Sequence, residues 1–202
     1  HPTNPTVAEG NGVDVGVVLD FDGQTRSGLT PVDIGADAGN FVGIDLAGPT
    51  ITYTPLLNTS STSTRTLNVT ITDNSGVASG GLAPRIYQRK TPPGGGYSSL
   101  TCTGASPNYT CTIDTAIIGT PAVADVIEYF IVAQDTVGNV SVSPSAGAVA
   151  TDVLTVTTPP TTPSSYTIVG SASGSYNVGT GETYTSLTNA GGIFEFINSS
   201  EV

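Results

Sequence analysis

Through the middle of the chain, apolar and polar residues alternate with a period of two, the pattern of strands with one buried and one solvated face. Leu67, Val69 and Ile71 fall on one side of such a strand, and Asn68, Thr70 and Thr72 on the other. Ile127, Tyr129, Ile131 and Ala133 make a wholly apolar face on the strongest strand. The same reading predicts strands at residues 50–56, 66–72, 84–90, 97–103, 109–114, 126–134, 140–143 and 153–157. Turn signals separate them: Asn74-Ser75-Gly76, the Pro-Pro-Gly-Gly-Gly run at 92–96, and 135–139. Strands at this spacing predict a β-sandwich over residues 48–158.

On either side the texture changes. Residues 1–47 hold short apolar strings, 13–19 and 41–46, set among Gly and Asp, which predicts short strands with tight turns. Residues 159–165 are Pro, Thr and Ser, the composition of a semi-rigid linker. Residues 166–202 open with a strand at 166–169. There the period shifts towards three and four, with Leu187, Ala190, Ile193, Phe194 and Ile197 predicting a short amphipathic helix that Thr185 or Ser186 can cap. Gly191 and Gly192 weaken it. The expected fold class is all-β with one helix near the C-terminus.

Charge narrows the function. Sixteen acidic residues against five basic give a net charge of -11 over 202 residues, which repels nucleic acid and anionic membranes. The only basic cluster, Arg85, Arg89 and Lys90, is too small to reverse that. No apolar run is long enough for a transmembrane helix. Met and Trp are absent, and the chain reads as a processed product or a stretch of something longer.

The two cysteines, Cys102 and Cys111, lie in neighbouring predicted strands with their side chains on the apolar face. A disulfide-linked hairpin in an oxidising compartment is the simplest reading; two reduced structural thiols are the rival. Neither a zinc shell nor a Ser-His-Asp or Cys-His apparatus can be assembled, because His1 is the sole histidine. The glycine pairs Gly10/Gly12 and Gly179/Gly181 lack the third glycine of a dinucleotide fingerprint, and Lys90 follows no phosphate loop. No enzyme is expected.

Three resemblances refine the picture. Asp20-Phe21-Asp22-Gly23-Gln24-Thr25-Arg26, followed by Asp33-Ile34-Gly35-Ala36-Asp37, resembles the closing motif of right-handed parallel β-helix domains in secreted proteins of Bacteroidota. The stretch from Gly181 to Ala190, continuing through Phe194 to Asn198, looks like the opening of such a β-helix, with a short helix capping its first rung. The middle is similar to bacterial immunoglobulin-like and fibronectin type III-like modules, on the strength of Asp73-Asn74-Ser75-Gly76 and Asp135-Thr136-Val137-Gly138-Asn139. Together these imply a central antiparallel immunoglobulin-like β-sandwich (48–158) between the end (1–47) and the start (166–202) of partial right-handed β-helix units.

That architecture sets the candidate sites. The loops after the second and sixth sandwich strands are expected at one end, bringing Asp73 near Asp135 and Asn139; these are either oxygen ligands for calcium or residues closing their own turns. Asp20 and Asp22 can project from one strand face as neighbouring carboxylates. Tyr53, Tyr87, Tyr97 and Tyr109 are either sugar-stacking platforms or core residues. Thr115 and Thr136 sit in Asp-Thr-apolar triplets resembling Bacteroidota O-glycosylation sites, and sequons fall at Asn58, Asn68, Asn108, Asn139 and Asn198. The leading expectation is a non-enzymatic structural or adhesive segment of a large secreted or cell-surface repeat protein, self-associating into extracellular filaments, with a carbohydrate or cell surface as partner. No cofactor beyond calcium is expected. The alternative is a non-catalytic accessory module of a secreted polysaccharide-degrading β-helix enzyme.

Overall fold

The computed structural model describes residues 12, 13, 15–21, 23, 25, 26, 45–171 and 175–199. Asp22, Asp33, Asp37 and the string at 41–44 lie outside them. The chain divides into two units, His1–Leu46 and Ala47–Val202. In the first, the Asp20 carbonyl accepts from the Gly23 amide (3.2 Å), and Leu19 and Thr25 form an antiparallel bridge around that turn.

The second unit is built on antiparallel sheets, and the protein is all-β as its patterning predicts. One sheet contains β1 (Thr50–Tyr53), β2 (Arg65–Thr72), β5 (Thr103–Ala105) and β6 (Asn108–Ile113), in the order β1-β2-β6-β5. The other contains β3 (Arg85–Thr91), β4 (Ser98–Thr101), β7 (Val126–Gln134), β8 (Val140–Ser143) and β11 (Ser164–Thr167). Their facing sides share one core, in which Leu67, Val69 and Ile71 meet Ile86, Ile127, Tyr129, Ile131 and Ala133. Alternation holds on β2: positions 67, 69 and 71 are buried, and 66, 68, 70 and 72 are exposed.

Strand β7 organises the second sheet. One edge pairs along its length with β3; the other pairs with β11 over Val126–Tyr129 and with β8 over Ile131–Gln134. Because Ser143 faces Ile131 and Ser164 faces Tyr129, β8 and β11 are two halves of one strand interrupted by residues 144–163. The interruption folds over the outer face of the sheet, where β9 (Val149–Ala150) pairs with β10 (Val156–Thr158). Between them Val153 is fully buried on Tyr87, Phe130 and Val132. Its backbone is held at both ends: Val153 N donates to Gln134 Oε1 (3.2 Å), and the Tyr87 hydroxyl donates to the Val153 carbonyl (2.9 Å).

This arrangement corrects the expected linker at 159–165 and the separate strand after it. Thr161 N donates to Ala146 O (2.9 Å), so the Pro/Thr run is the return limb of the interruption. The next residues finish the sandwich, with Tyr166 and Ile168 in its core. Their apolar side chains, invisible as sandwich residues in a local reading, are needed to cover Tyr129. The strand expected at 153–157 is likewise shorter and shifted to Val156–Thr158.

The disulfide joins Cys102 and Cys111, both buried. The single strand expected at 97–103 is broken at Cys102: β4 belongs to the second sheet and β5 to the first, so the chain changes sheet there. The bond ties the crossing point to β6. A short helix, α1 (Thr115–Ile118), escapes the periodicity reading because one turn carries no period; Asp114 caps it by accepting from Ala116 N (2.9 Å). The C-terminal helix, α2 (Ile193–Ser199), begins only after Gly191 and Gly192. Ser186 Oγ accepts from Thr188 N and Asn189 N and so closes a turn ahead of the helix rather than capping it. Tyr176, Tyr184 and Phe196 pack with ring centroids 5.4–5.7 Å apart.

Two outcomes test this account. A chain ending at Pro163 loses β11 and uncovers Tyr129, so it is expected to melt at least 10 °C lower and to bind a hydrophobic dye; an unchanged melting curve would return the boundary to 158. Replacing both cysteines by Ala is expected to cost about 2–3 kcal/mol in denaturant unfolding, mainly through the freed unfolded chain.

Candidate functional site

The loop after β2 and the loop after β7 meet at one end of the sandwich. Val77 bridges to Asp135, Ala78 N donates to Gln134 O (2.9 Å), Thr136 N donates to Gly76 O (2.9 Å), and the Thr136 hydroxyl donates to Ser75 O (2.7 Å). Carboxylate oxygens of Asp73 and Asp135 lie within 4.8 Å of each other. The sequence therefore brings together the residues it was expected to.

Both carboxylates are occupied by their own turns. Asp73 Oδ1 accepts from the Ser75 amide and from the Ser75 hydroxyl, each at 2.8 Å. Asp135, 1% exposed, accepts at Oδ1 from three successive amides, Val137 (2.9 Å), Gly138 (2.6 Å) and Asn139 (2.8 Å), and at Oδ2 from Asn139 Nδ2 (2.6 Å). The turn needs Gly138 at its apex, where φ is +104°. Burial pushes the Asp135 carboxyl up, but the hydrogen bonds from Asn139, Gly138 and Val137 together outweigh it and hold the carboxyl below its ordinary range. Oδ1 of Asp135 is filled by these amides, so the arrangement acts as a clamp that closes the loop.

The four tyrosines do not form a stacking surface. Tyr109 is in the inter-sheet core, and Tyr53 packs against it with its hydroxyl donating to Ser143 O (3.1 Å). Tyr87 stacks on Phe130 (5.0 Å) beneath Val153. Tyr97 lies edge-on to Phe130, under the Arg89 guanidinium (4.5 Å), and donates to Glu128 Oε2 (3.1 Å), which Arg89 Nε also holds (2.6 Å). Burial, then the Glu128 charge, pushes the Tyr97 hydroxyl up to about 12. All four are structural, which strand alternation signals for Tyr53 and Tyr109.

The remaining candidates are dispersed. Thr115 opens α1, with its amide and hydroxyl against Thr64 Oγ1 (both 3.4 Å); Thr136 is exposed, but its hydroxyl is committed to Ser75. Asn68 points to solvent, as alternation requires. Asp20 stands at the turn of the first unit. The solvent face of the first sheet, whose Thr and Asn positions line an open cleft of about 760 Å³, is not legible as a site in the sequence, because each strand shows its own polar positions but not their alignment across strands.

Comparison with protein-family models finds no match to this chain, and no curated protein is significantly similar to it. Among the described residues, no helix is long and apolar enough to cross a membrane, and the disulfide fits an oxidising compartment.

Asp135 generates a pH prediction. A depressed folded-state carboxyl contributes stability that is present above the unfolded value of about 3.9 and is lost as pH falls through the folded value. Asp135→Asn sets two amide groups against each other at Oδ2 and is expected to cost about 1–3 kcal/mol at pH 7. Melting curves of both proteins from pH 7 to pH 2 should converge as the wild-type carboxylate protonates; a constant gap would mean that its charge is immaterial.

Proposed function

We propose that the chain is a non-enzymatic structural or adhesive segment of a large secreted or cell-surface repeat protein, an immunoglobulin-like sandwich between β-helix-type ends, which self-associates into extracellular filaments. One observation carries this reading. In the first unit Val13, Val15, Val17, Val18, Leu19 and Phe21 are 51–85% exposed, a run of apolar side chains that a solitary module has no reason to keep in water. A run of exposed valines, a residue type that favours strands, suits pairing with another strand. The sandwich supports the same reading. Its two sheets, sealed by a disulfide, a closed end-loop clamp and a doubly covered strand β7, make a stiff spacer.

Sedimentation velocity and negative-stain electron microscopy test the proposal. The full chain at micromolar concentration is expected to form oligomers or filaments, and Val15→Asp with Val17→Asp to remain monomeric with an unchanged melting temperature. Dispersed wild-type monomers up to about 100 µM, a range in which weak interfaces still register, would overturn it.

A further inference from the structure

The outward positions of β1, β2, β5 and β6 form two parallel rows across the first sheet. In one, Thr52 faces Thr70 and Thr70 faces Asn108; in the other, Asn68 faces Thr110 and Thr110 faces Thr103. Between them runs a row in register across all four strands, Tyr53, Val69, Tyr109 and Gly104. On this face that row offers only backbone, because Val69 and Tyr109 turn their side chains into the core and Gly104 has none. The result is an open trough of about 760 Å³, floored by peptide groups and rimmed by hydroxyls and amides. Gly104, at φ +121°, cannot be replaced without a clash: a Cβ there would run into the Asn108 carbonyl.

Two features of the trough point to its occupant. It carries no charged side chain in a protein of net charge -11. Its polar groups are also weakly engaged: Thr52 to Thr70 O, Thr103 to Thr110 O and Thr110 to Asn68 Oδ1 are 3.3–3.4 Å long. Among the described residues, the Thr70 hydroxyl and the Asn108 side-chain amide have no hydrogen-bond partner inside the protein. Rim groups that both donate and accept repeat across the strands at about 4.8 Å, comparable to the length of one pyranose ring, with the threonine methyls beside them. An acidic polymer is repelled by the surrounding charge; a neutral polyol is not.

We propose that this trough binds a neutral polysaccharide, laid across the strands with its hydroxyls on the two rows. The inference deepens the adhesive reading above and rests on it. Each copy binds weakly, through hydrogen bonds without aromatic stacking, and repetition along a filament supplies avidity.

Affinity electrophoresis of the full chain, in gels containing hydroxyethylcellulose, soluble starch or polygalacturonate, tests it. Retardation is expected in at least one neutral polymer and not in polygalacturonate. Thr70→Glu with Thr110→Glu should weaken it at least tenfold, whereas Thr66→Glu with Thr72→Glu, which adds the same charge to outward positions of β2 outside the trough, should leave it intact. Amide NMR with a neutral oligosaccharide gives a readout that needs no variant: shifts centred on Thr70, Asn108 and Thr103 are expected. Absence of retardation, equal retardation of the trough variant, or amide shifts elsewhere would overturn the assignment. So would glycan-free dimers that the trough variant abolishes, since they would give the trough to a second copy. The Val15→Asp, Val17→Asp chain must still be retarded as a monomer, which separates failure of this site from failure of assembly.

Discussion

Everything in the sandwich hangs on the burial of β7 on both faces and along both edges. Its alternate residues Ile127, Tyr129, Ile131 and Ala133 fill the space between the sheets, while Phe130 and Val132 turn outward and are covered by Val153. A strand in that position has no water for its backbone, so each edge must be paired. β3 satisfies one edge over seven registered pairs. The other is satisfied piecewise, by β8 and then by β11, with the interruption between them folded across the outer face. The same loop thus leaves the edge and closes the face, which is why its buried Val153 is held by hydrogen bonds to side chains of β3 and β7.

Polar groups buried around this strand are used to fix connections. Gln134 and Tyr87 hold Val153; Gln88, also buried, reaches across the sandwich to accept from Asp114 N (2.8 Å); Asp135 gathers three amides of the following turn. Each is a buried group whose partner would be costly to lose, so each ties a loop to one position relative to the sheets. The disulfide does the same covalently where the chain passes from one sheet to the other. The ends of the sandwich are consequently well specified, and its variable chemistry is left to surfaces.

Those surfaces differ in kind. The first unit exposes a valine-rich segment, whereas the trough of the first sheet is lined by Thr and Asn without a charged side chain. The proposed assembly and the proposed polyol site thus draw on separate surfaces of the chain.

Period-two alternation and turn residues determined by themselves where most strands run, since a half-buried strand must place apolar side chains on one face: β2, β6, β7 and β8 lie within a residue of expectation. They also placed both cysteines on the apolar face of neighbouring strands, while the meeting of the Asp73 and Asp135 loops followed from the sandwich that the resemblance implied. What only the tertiary structure decided were long-range pairings that leave no local mark. Nothing in Ser164–Thr167 says that it pairs with Val126–Tyr129 rather than opening a new unit, because the decision lies in the unfilled edge of β7. Nothing in the strand-like run from Tyr97 to Thr103 says that it must change sheet at Cys102. The trough emerged the same way. Each strand shows its own polar positions, but only the cross-strand register aligns Thr52 with Thr70 and Asn108, and only the inward packing of Val69 and Tyr109 leaves the space between the rows open.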